Sequence, residues 1–164
     1  MLYMSIVLKL SIITVVRNDL IGFSETCESL QAQKLLPEEW LVIDSSDSDE
    51  ILQYLESIVG LNFIYKHVPA RGIYNAMNSG LRFATGSFVW FLNAGDTLCL
   101  PETYESVREQ LELHPNVDLL AFAVLYLTET NFIFDVVFPR VLVKSNEVIS
   151  AVHHQGALIS REKA

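Results

Sequence analysis

The chain alternates unbroken apolar runs with stretches of helical period, and that alternation leaves few folds open. Lys-Leu-Ser-Ile-Ile-Thr-Val-Val (9–16), Glu-Trp-Leu-Val-Ile-Asp (39–44) and Ser-Phe-Val-Trp-Phe-Leu (87–92) are rich in β-branched and aromatic residues and show no inside–outside alternation. A strand wetted on one face alternates; one covered on both faces need not. Between the first two runs lies a predicted helix over 20–33. After the second, Ile51, Leu52, Leu55, Ile58 and Val59 recur at helical spacing, with Asp47 and Glu50 in the form of a capping box and Gly60 as the stop. A third strand is expected over 61–66 and a helix over 73–86, from the Ala76, Met77, Gly80, Leu81 and Ala84 stripe, with Gly86 ending it. Pro101 suits the first turn of a helix running to about Leu113. Residues 117–127 and 131–138 read as two strands joined by a polar turn, and 151–160 as a last short extended piece. Repeated strand–helix units predict an α/β fold, a mostly parallel central sheet with helices on both faces.

At 164 residues, 51% hydrophobic, the chain is expected to be one domain over 1–164 with a substantial core. Its net charge of −9 argues against nucleic acid or anionic lipid as a main partner, since both need basic patches. A phosphate ligand stays open, provided a metal ion or a few local cations neutralise it. Cys27 and Cys99 form no metal-ligand spacing and read as two reduced thiols. The apolar start (1–16) is too short for a membrane span and carries Lys9 within it, so a soluble, cytosolic chain is expected.

In parallel sheets, ligands bind beyond the carboxyl ends of the strands. Those ends carry Arg17-Asn18-Asp19, Asp44-Ser45-Ser46-Asp47, Ala70-Arg71-Gly72 and Asn93-Ala94-Gly95-Asp96. Singly, each is an ordinary turn or helix cap. Jointly they offer a carboxylate for a base or ribose, a cation, and a second carboxylate able to take a hard metal. No GxGxxG, P-loop or GxSxG elbow is present. His153 and His154 could approach that metal or pack and meet solvent. Phe83, Phe88, Trp90 and Phe91 read as core rather than as a sugar platform.

Four segments carry a resemblance to a known family: Ser-Ile-Ile-Thr-Val-Val-Arg-Asn (11–18), residues 39–50 around Val-Ile-Asp, residues 71–98 from Arg-Gly-Ile-Tyr-Asn-Ala-Met-Asn to Phe-Leu-Asn-Ala-Gly-Asp, and His-His-Gln-Gly-Ala-Leu-Ile-Ser (153–160). Together they resemble the family 2 glycosyltransferases of the GT-A fold, in the branch of colanic-acid-type surface-polysaccharide transferases. The resemblance implies that Val15 and Arg17 line a nucleotide base and that Asp44 accepts from it, with Ser46 beside them. Arg71, Tyr74, Asn75 and Asn78 would lie near the diphosphate or donor sugar. Asn93 and Ala94 would complete the nucleotide site, and Asp96 would hold Mg²⁺ or Mn²⁺, a Lewis acid for the diphosphate leaving group.

The implied donor is a UDP-, GDP- or dTDP-sugar and the acceptor a glycan or lipid-linked glycan, reached by an inverting transfer. The implied place is the cytoplasm, peripheral at the inner face of the membrane. Arg17 stands where the family commonly has an aromatic, and Ala70 and Asn75 where this branch often has Asp. The family's acceptor region and its catalytic Asp lie past the His-Gln segment, so the expectation is a domain lacking that region, and no catalytic base is named. A nucleotide-sugar-binding domain without turnover, and a plain interaction domain, are the competing readings. Strands 117–138 are expected to mediate self-association, as in a homodimer.

Overall fold

The computed structural model describes residues 8–127, 132–135 and 154–164. The elements are β1 (Leu10–Val16), α1 (Leu20–Gln31), β2 (Glu39–Asp44), α2 (Glu50–Ser57), β3 (Ile64–His67), α3 (Ile73–Phe83), β4 (Phe88–Phe91), α4 (Thr103–Leu113), β5 (Leu119–Ala121), β6 (Val124–Leu127), β7 (Phe132–Asp135), a 3₁₀ turn (His154–Gly156) and β8 (Ala157–Ser160). Six strands form one sheet in the order β3-β2-β1-β4-β8-β5. The first four are mutually parallel. β8 runs antiparallel between β4 and β5.

Side-chain parity explains the uniform apolar runs. Leu10, Ile12 and Val16 of β1, Trp40 and Val42 of β2, and Phe88 and Trp90 of β4 face a layer built by Phe23, Cys27 and Leu30 of α1, Ile51 and Leu55 of α2, and Tyr104, Val107 and Leu111 of α4. The alternate residues Ile13, Val15, Leu41, Ile43, Val89 and Phe91 face Ala76 and Met77 of α3. Both sheet faces are therefore covered, as the runs demanded. In the buried layer the Trp40 indole N–H donates to Thr14 Oγ1 at 2.9 Å.

Several expectations shift. α2 begins at Glu50 and no side chain caps it; the Asp47 carboxylate instead accepts from Asn18 Nδ2 at 2.7 Å, across to the β1–α1 loop. α3 ends at Phe83, ahead of Gly86, because Ala84 turns extended. Phe83 is 43% exposed, with Lys66 Nζ 5.1 Å from its ring centre, so it is a surface residue and not core; Phe88, Trp90 and Phe91 are buried as expected. The single strand expected over 117–127 breaks in two: β5 stays in the main sheet, while β6 leaves it to pair with β7. The break falls at Phe122, whose N–H donates to Gly156 O at 2.6 Å. Parts of the 131–138 strand and of the proposed self-association surface, and His153, lie outside the described residues. Cys27 is buried and Cys99 exposed, both free thiols.

Candidate functional site

The sheet's register sets the site. Val16 of β1 pairs with Asp44 of β2, and Ala94 N–H, just past β4, donates to Val15 O at 3.1 Å. Asp44 and the Asn93–Asp96 turn thus emerge at one edge on either side of β1, two strand spacings or roughly 10 Å apart.

Asn93–Asp96 is a tight turn closed by Asp96 N–H to Asn93 O at 2.9 Å. Gly95 sits at φ 89°, which favours glycine in the third position of such a turn. The Asp96 carboxylate folds back, its Oδ2 accepting from Asn93 N at 2.9 Å. Burial pushes its pKa above the ordinary value, while that N–H and the charge of His154 pull the other way. The first turn of α1 comes close from the side: a Cβ at Gly22 would lie 3.0 Å from Gly95 N and 2.4 Å from the Asp19 carboxylate.

Asp44 is fully buried. Its Oδ1 accepts from Ser46 N at 2.7 Å and its Oδ2 from the Tyr65 hydroxyl at 2.9 Å. Burial, then this bond and the Asp44 charge, push the Tyr65 phenol up to about 12, so Tyr65 stays a donor. Ser46 is buried and its Oγ accepts from Asn18 N at 2.8 Å, while its carbonyl meets His67 Nε2 at 3.1 Å. Asn18 adopts φ 52° and is braced by reciprocal bonds with Asp47. Strain of this kind persists only where surroundings over-determine it; here three bonds do so.

The structure therefore brings Val15, Asp44, Ser46, Asn93, Ala94 and Asp96 into one bonded edge. Arg17, beside Asn18, is exposed on that edge. Arg71, Tyr74, Asn75 and Asn78 are also exposed, Arg71 just before α3 and the other three on its first two turns. Sequence reasoning missed Tyr65, which reads as an ordinary strand residue, and His67, which lies just past the strand expected over 61–66 and ends β3 in the structure. It left His154 open, and the structure places it in solvent with Nε2 3.0 Å from Asn93 Nδ2. A cleft of about 580 Å³ lined by Leu8, Phe88, Asn116, Val117 and Arg161 opens at the opposite edge, where β1 and β4 begin, away from this chemistry.

The donor set suits a hard cation shared with a ligand. Among the described residues Asp96 Oδ1 receives no hydrogen bond, and Asn93 Oδ1, in the same turn, is buried without a partner. No group of three or more His, Cys, Asp or Glu gathers among the described residues. A metal here would take oxygen from Asp96, and the rest of its coordination would have to come from a bound diphosphate and water.

Residues 11–162 match the family described as Glycosyl transferase family 2. The chain belongs to that family. This family 2 chain is 33% identical over 102 residues to an uncharacterized glycosyltransferase of Mycobacterium tuberculosis, covering 62% of this chain and 39% of that protein. It is 29% identical over 125 residues to a PGL/p-HBAD biosynthesis glycosyltransferase of Mycobacterium bovis, covering 73% and 48%. The family 2 chain thus spans under half the length of these curated relatives. Among solved structures, TarS of S. aureus superposes with TM-score 0.62 at 27% identity, over 70% of this chain and 35% of that one. A mannosyltransferase of Pyrobaculum calidifontis, solved with GDP-Man and Mn²⁺, shares the fold at TM-score 0.61 and 22% identity, over 70% and 35%. The fold is that of the GT-A glycosyltransferases. Among the described residues, no helix of the family 2 chain is long and apolar enough to cross a membrane.

Proposed function

We propose that this family 2 domain binds a nucleotide-diphosphate sugar and transfers the sugar, with inversion, to a polysaccharide or lipid-linked acceptor. The observation that carries the reading is the Asn93–Asp96 turn: a carboxylate with one oxygen fixed and one unused, two strands from a buried acceptor at Asp44, on the carboxyl edge of a parallel sheet. The reaction joins an acceptor hydroxyl oxygen to the anomeric carbon as the bond to the diphosphate breaks, and the acceptor proton goes to a base. A divalent ion, Mg²⁺ or Mn²⁺, supplies Lewis-acid stabilisation of the diphosphate leaving group.

Asp96 is the residue that would hold that ion, and Asn93 Oδ1, in the same turn and without a partner, is a further oxygen available to it. Arg17 lies flat against the base, and the exposed guanidinium is free to do so. Asp44 is fully buried behind the Tyr65 hydroxyl, so a uracil or guanine N–H reaches Oδ2 by taking that hydroxyl's place. Arg71, Tyr74, Asn75 and Asn78 meet the diphosphate and sugar. In this reading the donor is a UDP-, GDP- or dTDP-sugar, as TarS, solved in complex with UDP-GlcNAc, and the GDP-Man-bound mannosyltransferase illustrate for the fold. The chain works in the cytoplasm, peripheral at the inner face of the membrane.

Release of nucleoside diphosphate from UDP-GlcNAc or GDP-mannose tests this. We expect release that requires Mn²⁺ and falls at least about 100-fold in Asp96→Ala, the range for losing one element of leaving-group stabilisation. Nucleotide binding without release favours the binding-domain reading. No binding of UDP, GDP or dTDP contradicts both.

A further inference from the structure

Helix α1 presents one polar stripe to the loop after β4. Gly22, Thr26, Ser29 and Gln33 are spaced four, three and four residues apart, which places them along one side of the helix and just past its end. Gly95 N–H lies 2.9 Å from Gly22 O and 3.0 Å from Thr26 Oγ1. Thr26 Oγ1 lies 2.9 Å from Asp96 O and 3.2 Å from Asn93 O. Leu98 N–H donates to Ser29 Oγ at 3.2 Å. Gln33 Nε2 donates to Leu100 O at 2.9 Å, and Tyr104 N–H donates to Gln33 Oε1 at 2.9 Å. The backbone from 93 to 104 is thus fastened to α1 at successive steps.

Thr26 is fully buried, where an apolar side chain would ordinarily sit. A hydroxyl there is costly unless bonded. It has one proton and two acceptor positions. The 2.9 Å distance to Asp96 O is shorter than the 3.1 Å to Gly22 O, the usual back-bond of a helical threonine. Two of the three carbonyls within reach of its proton, Asn93 O and Asp96 O, belong to the turn, and Gly95 N–H, shared with Gly22 O, reaches its oxygen. One side chain grips the turn at both its third and fourth residues.

We propose that Thr26 is a positioning residue for Asp96: it fixes the main chain of the turn so that the carboxylate oxygen not held by Asn93 N–H faces the donor diphosphate. A single carboxylate supplying the protein's charge to a metal must be held to about 0.5 Å to be effective. This inference rests on the nucleotide-sugar reading above, and its test separates the two.

The test uses the full chain with Thr26→Val and Thr26→Ser, measuring amide hydrogen exchange at Gly95 and UDP, GDP and dTDP affinity with and without Mn²⁺. In Thr26→Val, Gly95 N–H keeps Gly22 O but loses Thr26 Oγ1, and its exchange rises roughly threefold relative to the amides of β1. The Mn²⁺-dependent part of nucleotide affinity falls by a similar factor, about that of one lost buried hydrogen bond. Metal-independent affinity is unchanged, and Thr26→Ser restores both to within about twofold. A purely structural role would lower affinity equally with and without Mn²⁺, and that result overturns the proposal, as does a valine variant unchanged in both readouts. If Thr26→Val does not fold, Ser29→Ala takes its place: faster Leu98 exchange with a roughly threefold weaker Mn²⁺-dependent affinity supports the same arrangement, and no change in either overturns it. If the unaltered chain binds none of the three nucleotides, the glycosyltransferase reading fails, and Gly95 exchange alone decides whether Thr26 holds the turn.

Discussion

Glu39 opens β2 and Asp44 closes it, so the one strand carries a buried carboxylate at each end. Glu39 is 5% exposed. Lys9 Nζ and Ser11 Oγ reach it at 2.5 and 2.6 Å, and the Thr85 N–H and hydroxyl also donate to it. Burial alone would push its pKa up, but the bonds from Lys9, Ser11 and Thr85 outweigh that and hold it at about 2, against an ordinary 4.5. A lowered value means that this stability is present above pH 4.5 and is lost as pH falls toward 2. Urea unfolding across that window should show a falling midpoint, and Glu39→Gln should flatten the fall while costing about 2 kcal/mol at pH 7. Tyr65→Phe removes one bond to Asp44 and should cost about 1 kcal/mol with little change in overall structure. Both roles were hard to see in the sequence. Nothing marks Tyr65 as a partner for Asp44 until β3 pairs with β2 in register.

At the scale of elements, the strands legible in the sequence were those buried on both faces. β1, β2 and β4 announce themselves because each must be apolar throughout. β8 is legible only as a short extended piece over 151–160; its place between β4 and β5 comes from the pairing edges they offer on either side, a tertiary cause that local pattern does not carry. The break between β5 and β6 has the same origin, in Phe122 bonding across to Gly156. Leu158, fully buried in β8, should therefore behave as core: Leu158→Ala should cost about 3 kcal/mol by chemical denaturation. The polar stripe on α1 was present in the spacing of Thr26, Ser29 and Gln33, but a helix period read only from apolar residues passes over it. Gly22→Ala tests the contact between α1 and the turn. The added methyl group meets Gly95 N and the Asp19 carboxylate, so the variant should lose about 2 kcal/mol together with Mn²⁺-dependent nucleotide binding.

Across the whole molecule, the parallel sheet and the edge bearing Asp44 and Asp96 were legible because both follow from strand order. The spacing of strands along β3-β2-β1-β4 then sets the distance between the two carboxylates without any special contact between them. What did not follow from the sequence is how each carboxylate is held: Asp44 by Tyr65 and Ser46, Asp96 by Asn93 and the helix behind it. Asp96 as the metal-binding carboxylate is the claim on which the functional reading depends. Calorimetric titration of UDP, GDP and dTDP into the chain and into Asp96→Ala, each with and without Mn²⁺, tests it most directly. The account predicts that at least one nucleotide binds the unaltered chain at least about tenfold more tightly with Mn²⁺, and that this gain disappears in Asp96→Ala. Equal affinity in all four conditions, or a Mn²⁺ gain that survives the substitution, would contradict it.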